Sequence, residues 1–177
     1  MTPRAQYTRP SIAFHWLLAL MIAGSFALGL YMVDLPFSPA RLKQYNWHKW
    51  AGITILVLSA LRLLWRLSHQ PPALNKNTQA WQARAAHGTH VLLYALFFAA
   101  PLAGWAYSSA AGFPVVYLGL WQLPDLVARN PDLAATLKLT HRMLTYSLAA
   151  LVVLHVAAAL KHQWIDRDQL LARMNPF

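Results

Sequence analysis

Residues Thr140–His162 read THRMLTYSLAALVVLHVAAALKH. Between Arg142 and Lys161 the stretch has no charge and no proline, and it is long enough to cross a bilayer as a helix of about 20 residues. His141 lies near one end and His155 near the other, fourteen residues apart. At about 100° per residue that separation falls about 40° short of four full turns, so both rings leave the same face of the helix. The axial distance is about 21 Å, most of the roughly 30 Å of hydrocarbon. A polar group at membrane depth is costly and marks a functional site by default. The helix is therefore expected to be the shared wall of two stacked cofactor sites.

Composition points the same way. Of 177 residues, 58% are hydrophobic and only 11% charged, with eight Trp, seven Tyr and seven Phe, which suits one integral membrane domain better than a soluble one. Fifteen Lys and Arg face five Asp, and Glu is absent, for a formal charge of +10. The cations flank apolar runs and form no patch of their own, so lipid headgroups, propionates or an anionic substrate suit them better than nucleic acid. The chain has no Cys, which excludes disulfides, iron–sulfur clusters and covalent haem attachment. Any haem must be held non-covalently.

Three further apolar runs precede this one. Ile12–Val33 is too long for a signal-peptide core and reads as a retained span, with His15 in about its first turn and Trp16 at interface depth. Asp34–Tyr45 is read as a connection broken by Pro36 and Pro39. The second span covers about 46–67, with His48 near its start and Arg62 and Arg66 on one face near its end. Ser68–Ala86 is a polar loop containing Asn75, Lys76 and Asn77. The third span covers about 87–107, begins with His87 and His90, and contains Pro101. Ser108–Lys138 is a long connection expected to lie on the membrane surface, and the fourth span covers about 140–162. The tail from Gln163 onward is expected to form an interfacial helix.

Four spans put both termini on one side. With that side inside, nine cations (Arg4, Arg9, Arg62, Arg66, Lys76, Arg84, Lys161, Arg167, Arg173) face six outside (Arg41, Lys43, Lys49, Arg129, Lys138, Arg142). The bias favours cytoplasmic termini. Topology then pairs the histidines. Spans two and four both begin outside, so His48 and His141 share one depth. Span one begins inside, so His15 meets His155. Each pair can clamp one b-type haem, and two axial imidazoles leave iron no open position, which suits electron transfer. A single histidine near a helix end is more often a hydrogen-bonded interfacial residue, but four that pair by depth are harder to dismiss. His87 and His90 compete with His15 for the inner position, and spacing alone leaves that choice open. His162 shares the stripe of His155 but lies at or beyond the inner surface, where a quinone or a propionate is the better partner. His69 is read as a solvated loop residue. Arg62, Arg66 and Arg84 suit inner propionates or plain positive-inside anchoring equally well.

These residues resemble the bacterial cytochrome b561 family of di-haem four-helix membrane cytochromes. The resemblance covers nearly the whole chain: His15-Trp16; His48, Lys49 and Gly52 followed by LRLLWR; the run from His87 to Trp105; and the fourth span with its following DRD and RM. It implies haem b ligands at His15, His48, His141 and His155, and none at His87 or His90. It also implies oxidation of superoxide at the outer haem and reduction of ubiquinone. The basic outer face fits a small anionic substrate, with Lys49 and Arg142, and more loosely Arg41, Lys43, Arg129 and Lys138, as steering cations; each serves equally well as a lipid or propionate partner. For quinone the expected place is near the inner haem, at His162 and Lys161 with Trp164 as a wall, and His162 is the first choice of proton donor.

The sequence thus reads as a single all-α, four-helix transmembrane bundle over 1–177, a bacterial inner-membrane oxidoreductase holding two haems b on paired histidines, with no obligatory protein partner. One alternative keeps the redox core as a cytochrome b subunit that relays electrons between a partner dehydrogenase or hydrogenase and quinone. Another class is a non-haem transporter or metal-binding membrane protein whose histidines line a pathway.

Overall fold

The computed structural model describes residues 6–73, 79–168 and 170–175. The expected loop residues Asn75, Lys76 and Asn77, and the inside cation Arg4, lie outside the described residues.

Four long helices dominate: α1 (Arg9–Val33), α2 (Pro39–Ser68), α3 (Ala80–Ala110) and α4 (Pro131–Lys161). All four are long and apolar enough to cross a membrane. Each starts ahead of the apolar span read from the sequence, and in α2, α3 and α4 side-chain caps rather than hydropathy set that start. Proline stands in the first turn of α1, α2 and α4, where its missing N–H costs nothing and its fixed φ suits the helix. Pro39, read as a breaker, therefore opens α2, and the Ser38 hydroxyl accepts from Arg41 N at 3.2 Å. Asn130 Oδ1 accepts from Asp132 N and Leu133 N at 3.0 Å and starts α4 nine residues ahead of the expected span. Gln79 and Gln82 form a reciprocal capping box at the start of α3.

Helices adjacent in sequence pack side by side, most extensively α3 on α4. The first and last described segments lie at one end of the bundle: Trp65 Nε1 at the end of α2 donates to Thr8 Oγ1 at 2.9 Å, and Trp16 Nε1 donates to Met174 O at 2.8 Å. At the other end the long connection folds onto α2, with Trp50 Nε1 donating to Val116 O at 2.7 Å. It contains a small antiparallel hairpin, β1 (Val116–Tyr117) with β2 (Trp121–Gln122), turned at Leu118 and Gly119, both at positive φ. The connection is thus built around a hairpin, and α4 takes over its last residues from Pro131.

Large apolar side chains such as Leu20, Leu64, Leu67, Val153 and Leu154 stay exposed on the outside of the bundle, as lipid-facing residues do. The internal cluster is small: Leu93, Phe97 and Leu148, with Ile22, Leu151 and Val152 against it. Beyond α4 the tail is not one interfacial helix. It makes a π turn over His162–Asp166, reverses, and ends in a 3-10 turn over Leu171–Met174. Arg173 ties it back to Ala73 O at 2.7 Å.

Candidate functional site

Seven-residue steps, two helical turns each, sort the bundle interior into three layers. On α1 the steps are His15, Ile22, Gly29; on α2, Arg62, Ile55, His48; on α3, His90, Phe97, Gly104; on α4, His155, Leu148, His141. The middle layer is apolar: its Phe97 and Leu148 are in the internal cluster and its Ile22 packs against it. The two outer layers hold the histidines.

In the layer near the connecting loops, the His48 and His141 rings lie 6.1 Å apart, centre to centre. His141 Nδ1 donates to Ala100 O at 2.8 Å, and His48 Nδ1 lies 3.1 Å from Ser25 O. Each ring thus spends Nδ1–H on a backbone carbonyl and leaves Nε2 as the free donor atom, the arrangement that ligating imidazoles adopt. The other two helices contribute glycine. A Cβ on Gly104 would meet the His141 ring at 3.0 Å, and one on Gly29 would meet His48 Cε1 at 3.2 Å. Beside them Trp105 Nε1 is buried with no hydrogen-bond partner among the described residues.

In the layer near the termini, the His15 and His155 rings are 6.2 Å apart. His90 stands 5.6 Å from the same His155 ring. Arg62 Nη2 lies 3.1 Å from His15 Nδ1, and a guanidinium can only donate, so this Nδ1 accepts. Arg62 and Arg66 both sit over the Tyr94 ring, at 5.6 and 5.7 Å. Between α2 and α3 a cleft of about 270 Å³ is lined by Arg66, His87, His90 and Tyr94.

Two imidazoles sharing one metal ion at about 2 Å each have ring centres about 6 Å apart. The His48–His141 pair meets that spacing with its Nε2 atoms free and glycines beside its rings, so it fits a haem held by two imidazoles; at the termini end His15–His155 and His90–His155 both meet the spacing, with Arg62 on His15 Nδ1.

The remaining expected residues fall at the two ends. Lys49 Nζ donates to Phe113 O at 3.1 Å and thereby also anchors the loop. Arg142 is exposed and lies over the Tyr146 ring at 5.7 Å. Arg41 and Lys43 sit over Tyr45 and Trp47, while Arg129 and Lys138 line an open cleft of about 360 Å³. Among the described residues, every ion pair lies at the opposite, termini end, in the group Lys161, His162, Asp166 and Asp168. His69 is exposed and stacks on Trp65 at 3.9 Å, and Trp164 is exposed. Sequence reasoning missed Gly29 and Gly104, and it had Arg62 only as a propionate partner or anchor. The signal was available as the seven-residue spacing shared by all four helices.

A family model described as prokaryotic cytochrome b561 matches residues 6–176. The chain is 37% identical to Cytochrome b561 homolog 2 of Escherichia coli (strain K12) over 168 residues, 93% of this chain and 88% of that protein. It is 31% identical to the Probable superoxide oxidase CybB of Yersinia pestis over 174 residues, 97% and 96% of the two chains. With the layered histidines, these matches lead to one conclusion: the chain belongs to the prokaryotic cytochrome b561 family, as a multi-pass inner-membrane protein of electron transport that binds haem b.

Proposed function

We propose that this protein oxidises superoxide at the loop end, on the periplasmic side, and reduces ubiquinone within the membrane, using two haems b. His48 with His141 would hold one and His15 with His155 the other. The observation that carries this reading is the sorting of two imidazole pairs, at 6.1 and 6.2 Å, to opposite ends of one bundle. Each bound haem supplies a reversible one-electron carrier. Two superoxide ions, one ubiquinone and two protons yield two dioxygen molecules and one ubiquinol, so electrons and charge balance.

The chain's own residues perform three tasks. The carbonyls of Ser25 and Ala100 orient the loop-end rings. The loop-end cations attract a small anion: six of them face three aspartates there (Asp34, Asp125, Asp132), and that end has no ion pair among the described residues. Arg142, exposed and unpaired with carboxylate, is the strongest single candidate, and Lys49 adds charge while holding the loop. His162 at the termini end donates a proton to the quinone. His90 is as near to His155 as His15 is; the choice of His15 rests on the resemblance of this chain's spans one, two and four to the family's ligand positions. The relative called Probable superoxide oxidase CybB supports the choice of substrate.

The test is a haem count and a reduced-minus-oxidised spectrum of detergent-purified protein, followed by stopped-flow superoxide consumption with ubiquinone. Two low-spin haems per chain and superoxide-driven ubiquinol formation are expected. One haem means a wrong pair, and no superoxide reaction in a partner-free preparation transfers the redox core to the cytochrome b subunit role.

A further inference from the structure

The chain past α4 is bent into a specific shape. After the π turn over His162–Asp166, Arg167 adopts the left-handed conformation at φ 51° and ψ 31°, and its N–H bonds to His162 O. Asp168 N donates to the same carbonyl at 3.2 Å. π turns and left-handed non-glycine residues are uncommon, cost free energy, and concentrate at functional sites. Here they fold Asp168 back onto the ring six residues before it. His162 Nδ1 lies 2.7 Å from Asp168 Oδ2 and 3.2 Å from Asp166 Oδ2.

An ionised carboxylate only accepts, so Nδ1 carries the hydrogen and Nε2 is left as the nitrogen that exchanges protons. The second Asp168 oxygen accepts from Leu170 N at 3.1 Å, which fixes the carboxylate in turn. By donor type, His162, Asp166 and Asp168 could also hold a cation. Lys161 Nζ, at 2.6 Å from Asp166 Oδ2, already supplies that positive charge, so the cluster is better read as a proton network. The His162 and Asp168 side chains keep 21% and 23% of their surface exposed, enough for exchange with water.

We infer that Asp168 is a positioning residue for proton delivery through His162 to the quinone. This rests on the ubiquinone reading above. The charged ring gives up its Nε2 proton and the quinone oxygen gains an O–H bond. The neutral ring keeps Nδ1–H on Asp168, and water returns a proton to Nε2. The electrons come from superoxide.

The experiment reduces haem-loaded, detergent-purified protein and mixes it rapidly with either ubiquinone or ferricyanide, which takes an electron without a proton. In D168N the carboxamide oxygen can still accept from Leu170, but the carboxylate that holds the Nδ1–H and fixes the tautomer of the His162 ring is gone. Reoxidation by ubiquinone should slow about tenfold or more, with ferricyanide reoxidation within about twofold of the parent. D168E should recover most of the loss. Equal ubiquinone rates in D168N and the parent, or equal slowing with both acceptors, would overturn the inference. Should D168N lose its haem, H162Q must show the same split between acceptors, and its absence is equally decisive. If ubiquinone fails to reoxidise even the parent protein, the ubiquinone reading falls, and this inference with it.

Discussion

The two histidine layers use the same spacing to different ends. Near the loops, two rings are oriented by backbone carbonyls and flanked by two glycines. Near the termini, three rings and an arginine occupy the equivalent positions, and His15 is held by a guanidinium rather than a carbonyl. The first layer has its Nε2 atoms free in advance. In the second, an Nδ1 that accepts from Arg62 places the proton of neutral His15 on Nε2, so ligation there requires Arg62 to give way. One layer is thus set by the backbone and little open to adjustment. The other is built of side chains carrying charge, which electrostatics can tune.

The strongest way to break this comparison is to remove one ring from each layer. H141A and H15A should each lose one haem per chain, from opposite ends, while H90A keeps both; a pyridine haemochrome assay with the reduced spectrum checks the count. A H90A chain with one haem would replace His15 by His90 in the termini-end pair. The next contrast tests the glycines. G104A places a methyl 3.0 Å from the His141 ring and should cost about 1–3 kcal/mol or expel the loop-end haem. G24A on α1 meets nothing within 4 Å and should leave stability unchanged or raise it by about 0.4–1 kcal/mol. Thermal unfolding and haem retention of the two variants would read the difference, and equal behaviour would deny the cradle.

A smaller effect is expected at Arg62. Positive charge beside iron favours the reduced state, so R62Q should lower the termini-end midpoint potential by roughly tens of millivolts and leave the loop-end value in place. A redox titration resolving both haems decides this, and a shift shared by both would mean the layers are not electrically separate. The smallest effects belong to steering. R142Q should slow superoxide consumption about two- to threefold at low ionic strength and less at high salt, and K49Q less again because Lys49 is partly committed to Phe113 O. Rates that ignore salt would remove electrostatic steering from the account.

The hydropathy of the four runs was enough to place four long helices, and the crossing direction of each to place His48 and His141 at one end and His15, His90 and His155 at the other. The choice between His15 and His90 is not in helical geometry, because both stand at the depth of His155. Helix ends were less legible, because Ser38, Gln79 and Asn130 start helices outside the apolar stretch, where hydropathy is silent. The loop hairpin escaped for a related reason, since two-residue strands carry no period to detect.

What the sequence determined by itself was which side chains stand at which height on each helix, since rise and turn per residue are constant. Which helix faces which ring was decided only by the packed bundle. Gly29 against His48, Gly104 against His141 and Arg62 against His15 are contacts between helices, set by rotation and lateral neighbours that no single helix encodes. The fold of Asp168 onto His162 is the same kind of fact, because it depends on a left-handed turn at Arg167 that the residue type does not announce.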